Sequence, residues 1–157
     1  MKLVLERAPH NILVPVNGSR ADDTAVRMAC GLARQAKGKV YLLHVVEVER
    51  NLPIDAAPEP DVVHGETVLE ELEAVCREER CPAQADILHA REAGPAIVEE
   101  AISRQAGLVI MGLTIHRHRG EYGIGATVPY VLMRAHCPVW VTRAELSVSA
   151  QAFKEAA

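Results

Sequence analysis

The stretch MGLTIHRHRGEYGIGATVPY, Met111 to Tyr130, holds four glycines and an unbroken basic or imidazole run from His116 to Arg119. Glycine lets a backbone approach phosphate oxygens closely, and a helix that opens just beyond offers unpaired N–H groups and a favourable dipole. Arginine beside such a terminus adds charge-assisted contacts. Phosphate binding is the chemistry this segment suits. A run of like charges is equally a solvated face, and both readings stand at this level.

The other reactive side chains give less. Cys30, Cys76, Cys81 and Cys137 are scattered and form no CxxC pair, so they read as buried thiols rather than a zinc set. His116 and His118 alternate, but no acidic or sulfur ligand stands beside them at finger-like spacing. His44 lies inside an apolar run and reads as a core or cleft histidine. The chain contains no G-x-S-x-G elbow, no HExxH and no paired carboxylates at a strand end. It is expected not to be an enzyme.

The elements that must position the glycine-rich segment follow from periodicity. NILVPV (Asn11 to Val16) is a β-branched run ended by the turn signal NGS, and KVYLLHVVEV (Lys39 to Val48) is a second strand. ADILHA (Ala85 to Ala90), GLVIMG (Gly107 to Gly112) and CPVWVTR complete five. Between the first two, Ala25, Met28, Ala29, Leu32, Ala33 and Ala36 mark a helical face, with Ser19 placed to cap it. Val68, Leu69, Leu72, Val75 and Cys76 stripe a second helix, and Ile97, Val98, Ala101 and Ile102 a third. TVPYVLMRAH opens a fourth, so the segment from Leu113 to Ala126 reads as a loop that leads to a helix near Thr127. Alternating strands and helices imply right-handed crossovers and a mostly parallel sheet with helices on both faces. Ligands bind such sheets at the carboxyl ends of strands where the order reverses, here after Val16, Val45 or Met111.

At 157 residues the chain fits one domain, and with 49% apolar but only 3% aromatic residues its core must be aliphatic. The formal charge of -4 argues against nucleic acid as a partner. No apolar run approaches the roughly 20 residues that span a bilayer, so no membrane insertion is expected. MKLVLERAPH is too short and too charged for a secretory leader, and the expected location is cytoplasmic.

ILVPVNGS, LLHVVE, GLVIMG and GATVPYVLMRAHCPVWVTR, in that order and spacing, resemble the universal stress protein family. The resemblance covers Asn11 to Arg143 and leaves residues 1–10 as an N-terminal extension and 144–157 as a tail. It implies a doubly wound, open, Rossmann-like sheet of the adenine nucleotide alpha hydrolase type, five parallel strands ordered 3-2-1-4-5. It also implies ATP or another adenine nucleotide as ligand, and homodimers that pair through the last strand. Nucleotide-binding members carry G-x2-G-x9-G-[ST] after the fourth strand. Here its first and last glycines fall on Gly112 and Gly125, but its second glycine falls on Ile115 and its hydroxyl position on Ala126. Asn17 stands where those members end the first strand in aspartate.

By that resemblance the base packs near Val16 and Val45. The phosphates meet the segment after Met111 through Gly112, Gly125, Ala126, Thr127 and Val128, with Asn17 at the nucleoside and Arg119 on a phosphate. The substitutions at Asn17, Ile115 and Ala126 favour a second function: a dimeric interaction or regulatory domain without nucleotide, as a free protein or an appendage of a transporter or other larger protein. Trp140, alone of its kind on a terminal strand, is suited either to anchoring a partner copy or to packing beneath a helix.

Overall fold

The short β-branched and aliphatic runs become strands, and each stripe of period 3.6 becomes a helix laid across them. In the computed structural model, which describes residues 8–144, the order is β1 (Asn11–Pro15), α1 (Ala21–Gln35), β2 (Lys39–Glu47), α2 (Glu59–Glu78), β3 (Ala83–Ala90), α3 (Ala93–Ser103), β4 (Leu108–Leu113), β5 (His116–His118), β6 (Glu121–Gly123), α4 (Thr127–Arg134) and β7 (Val139–Arg143). Residues 1–7 of the expected extension and 145–157 of the expected tail lie outside the described residues. No helix among the described residues is long and apolar enough to cross a membrane.

The main sheet is parallel throughout and ordered β3-β2-β1-β4-β7, as the family resemblance implies for its five strands. Alternate side chains of each strand feed two cores. Ile12, Val14, Leu42 and Ile110 pack against α1 and α2, whereas Leu13, Leu43, Val109 and Met111 pack against α3 and α4. Both cores are aliphatic, as the composition requires.

Three helices end in the same way. Lys37, Arg80 and Gln105 each take a left-handed conformation, with φ of 51°, 53° and 51°. The next amide then reaches back to a carbonyl five residues earlier: Gly38 to Ala33, Cys81 to Cys76 and Ala106 to Ala101. This is the Schellman closure, normally built on glycine at the left-handed position. It returns the chain abruptly to the sheet. At the first of them a Cβ on Gly38 would overlap the carbonyl oxygen of His10 at the start of β1.

Several expectations change on tertiary contact. Ile102 on α3 is exposed; on α1 Met28 is exposed and Leu32 and Ala36 only half-buried, because that helix buries Val26 and Cys30 beside its alanines. Cys30, Cys76 and Cys81 meet between α1 and α2, where Cys30 donates a hydrogen bond to Cys76 at 3.7 Å. That bond and burial hold the Cys30 thiol well above its ordinary range, and burial pushes Cys81 up to about 12. They are packing thiols, in keeping with the sequence. His44 is a core histidine, buried beneath Gly65 of α2 with its Nδ1 2.9 Å from the Val16 carbonyl oxygen. Trp140 packs inward against the α1 side of the core. Of its two sequence readings, that is the one in which a helix covers it.

Candidate functional site

The carboxyl ends of β1, β2 and β4 meet at the point where the strand order reverses, and a cleft of about 220 Å³ opens there. It is smaller than the usual range for small-molecule sites. Period-two alternation along β2 turns Leu43, Val45 and Glu47 toward it, and α3 supplies Ile97. The structure brings Val16, Asn17, Val45, Met111, Gly112, Gly125, Ala126, Thr127 and Val128 together in this one wall. Of the residues singled out from sequence, Arg119 is absent from it.

The reason for that absence is a β-hairpin inside the segment that reads as loop in the sequence. β5 and β6 pair antiparallel, His116 with Gly123 and His118 with Glu121. Arg119 and Gly120 form the two-residue turn, with φ of 49° and 82°. Positive φ at both central positions is the type I′ turn, whose twist matches paired strands. Arg119 therefore sits at the tip, away from the cleft. The strand at His116–His118 also means that Ile115 need not adopt positive φ, and it does not. Arg117 is held over the Tyr122 ring, 5.6 Å from its centroid. From the hairpin segment only His116 and Ile124 reach the wall.

Two of the expected glycines differ in what they do. A Cβ on Gly112 would lie 2.8 Å from the Cβ of Ala21, so this glycine lets the start of α1 pack directly on β4. Gly125 has φ of +74° with open space where a Cβ would stand. It turns the chain into α4. Ala126 precedes the helix without a side-chain cap, and the first intrahelical bond runs from the Tyr130 N–H to the Ala126 carbonyl. The amides at the head of the helix consequently face the cleft free of intrahelical partners.

The β1–α1 loop is held by a buried carboxylate in the first turn of α1. Asp22 is 3% exposed, and its carboxylate accepts N–H groups from Asn17 at 3.0 Å and Gly18 at 2.7 Å, and the Ser19 hydroxyl at 3.3 Å. The expectation that Ser19 caps α1 is not met. Arg20 occupies the cap position, Ser19 donates its hydroxyl to Asp22, and its N–H is taken by the Asn17 side chain. Burial raises the Asp22 pKa above its usual 3.8, and the hydrogen bonds from Gly18, Asn17 and Ser19 offset only part of that.

Asp22→Ala should cost about 1–3 kcal/mol, since two partly buried hydrogen bonds to loop amides are lost. A thermal melt checks this, at roughly 2–4 °C per kcal/mol for a chain of this size. The pH dependence has a fixed sign. With the folded pKa above the unfolded one, protonation of Asp22 favours the folded state. Wild-type stability relative to Asp22→Asn should therefore rise as pH falls through the folded pKa, and level off below the usual 3.8.

Sequence reasoning missed Asp22, Glu47, Ile97 and His116 as members of the wall. Glu47 was detectable, two residues beyond Val45 on one strand face. Asp22 was not singled out, although its partners Asn17, Gly18 and Ser19 are the NGS turn that ends β1. Among the described residues, no group of three or more His, Cys, Asp or Glu side chains is arranged to hold a metal.

Comparison with known proteins places the chain. The Universal stress protein family model matches residues 9–143. A universal stress protein of Methanocaldococcus jannaschii is 25% identical over 138 residues, 84% of this chain and 81% of that one. The universal stress protein of Archaeoglobus fulgidus solved with dAMP is similar in fold, with TM-score 0.70 and 20% identity over 86% of this chain and 98% of that one. A universal stress family protein of Arabidopsis thaliana solved with AMP bound gives TM-score 0.61 and 19% identity, over 92% and 99% of the two chains.

Proposed function

The chain belongs to the universal stress protein family, and from that premise we propose that it is a cytoplasmic regulatory module that binds an adenine nucleotide without turning it over. One observation carries the reading: the cleft at the strand-order reversal gathers Val16, Asn17, Val45, Gly112 and the head of α4 in one wall. The apolar floor of Leu43, Val45 and Met111 suits a base, and the amides at Ala126, Thr127 and Val128 suit a phosphate. The dAMP and AMP held by the two similar structures support the same ligand class. Absence of turnover rests on the residues themselves. Asp22, the buried acid of the wall, has its oxygens occupied by loop donors, which leaves it poorly placed as a general base.

A ligand at about 100 times its dissociation constant adds about 2.7 kcal/mol to stability. Melting should accordingly shift upward by roughly 5–11 °C with AMP, ADP, ATP or a cyclic adenine nucleotide. No shift with any of them at millimolar concentration would remove the proposal.

A second reading, dimeric interaction, has its own support. β7 is an open sheet edge, and Leu132, Met133 and Val141 on α4 and β7 stand exposed, Met133 at 81%. We infer a homodimer in which two β7 edges pair across a two-fold axis, with Val141 rather than Trp140 at the contact. Small-angle scattering at micromolar concentration should return about twice the chain mass. A monomer there rules the dimer out.

A further inference from the structure

The charges of the cleft wall carry a statement about which adenine ligand fits, and it rests on the nucleotide reading above. The wall contains two carboxylates, Asp22 and Glu47, and one imidazole, His116, but among the described residues neither lysine nor arginine. The nearby guanidinium groups are directed elsewhere. Arg117 lies over Tyr122, Arg119 forms the hairpin turn, and Arg20 lines separate grooves on the far side of Asn17 and Gly18. Phosphate binding is left to backbone amides, and these are few. Pro129 has no N–H, so the first turn of α4 offers only those of Ala126, Thr127 and Val128 before the Tyr130 amide enters the helix. Three donors match the three terminal oxygens of one phosphate. A second or third phosphate finds no lysine or arginine in the wall among the described residues to meet it.

We propose that this cleft takes an adenine nucleoside carrying a single phosphate and discriminates against di- and triphosphates. Each added phosphate brings negative charge into a wall that already holds the carboxylates of Asp22 and Glu47, the latter exposed at the end of β2. Repulsion at such a site is moderate, on the order of a tenfold loss of affinity for each fully charged contact near 4 Å.

Calorimetric titration of the full chain with adenosine, AMP, ADP and ATP, the last two with and without magnesium, tests this. AMP should bind at least about tenfold more tightly than ATP in either magnesium condition, with ADP between them. Glu47→Lys, on an exposed side chain, should narrow the AMP-to-ATP ratio about fivefold or more. ATP binding as tightly as AMP in either magnesium condition overturns the inference and leaves the nucleotide reading intact. A ratio unmoved by Glu47→Lys overturns the part assigned to Glu47. If adenosine and all three nucleotides fail to bind at millimolar concentration, the nucleotide reading itself falls, and this inference with it.

Discussion

Gly125→Val is expected to weaken AMP binding by at least about 100-fold, equivalent to about 2.7 kcal/mol, while the protein stays folded. Gly125 turns the chain into α4 at φ +74°, in a region that a β-branched residue avoids. Holding valine there costs about 1–3 kcal/mol, and relaxing it rotates the amides of Ala126 and Thr127 away from the cleft. The site of the missing Cβ is open, so no core contact is broken. The variant should accordingly remain folded with a melting temperature lower by at most roughly 2–12 °C, and calorimetry should show the loss in affinity. Gly125→Ala, with a smaller side chain and the same backbone demand, should fall between the two. Wild-type affinity in the valine variant would mean that the head of α4 does not contact the ligand.

Gly38→Ala should lower stability more than alanine at any other glycine of the chain. The Schellman closure of α1 brings residue 38 against β1, and a Cβ there would overlap the His10 carbonyl oxygen. That oxygen also accepts the Lys39 amide at 2.8 Å, so it cannot move without giving up a bond at the start of β2. Backbone cannot yield as a side chain does. We expect a cost of about 3 kcal/mol, the upper end for overpacking, and a melting temperature lower by roughly 6–12 °C. Gly31→Ala is the internal control. It lies within α1 with nothing near its missing Cβ, and should stabilise by about 0.5–1 kcal/mol through helix propensity.

The sheet was legible because its signals are redundant. The central strands β1, β2 and β4 are largely buried on both faces and read as continuous apolar runs, with helical stripes between them. The strand order comes from family resemblance, since nothing in NILVPV itself dictates that it pairs with both LLHVVE and GLVIMG. Nine of the ten residues proposed from sequence share one cleft for the same reason: fixed strand ends carry fixed neighbours. Failures occurred where a side chain answers to a turn. The pair Arg119–Gly120 is a hairpin signal, but strands of three residues on either side are too short to alternate visibly. Ser19 looks like a helix cap, yet Asp22 competes for its hydroxyl and Asn17 for its amide. Met28 and Ile102 fit a helical stripe and still face outward, because propensity and period set a face only to within one position.

The three helix endings have a consequence for engineering. Lys37, Arg80 and Gln105 sit where glycine is usual, and an L side chain in that conformation costs about 1–2 kcal/mol relative to the right-handed form. Glycine would relieve most of this, less about 0.5–1 kcal/mol of added unfolded-chain entropy. All three lie at the ends where α1, α2 and α3 finish, opposite the strand ends that form the cleft. The molecule thus holds an unused margin of thermal hardiness at its base. A heat-resistant version can be built there without altering any surface that meets a ligand.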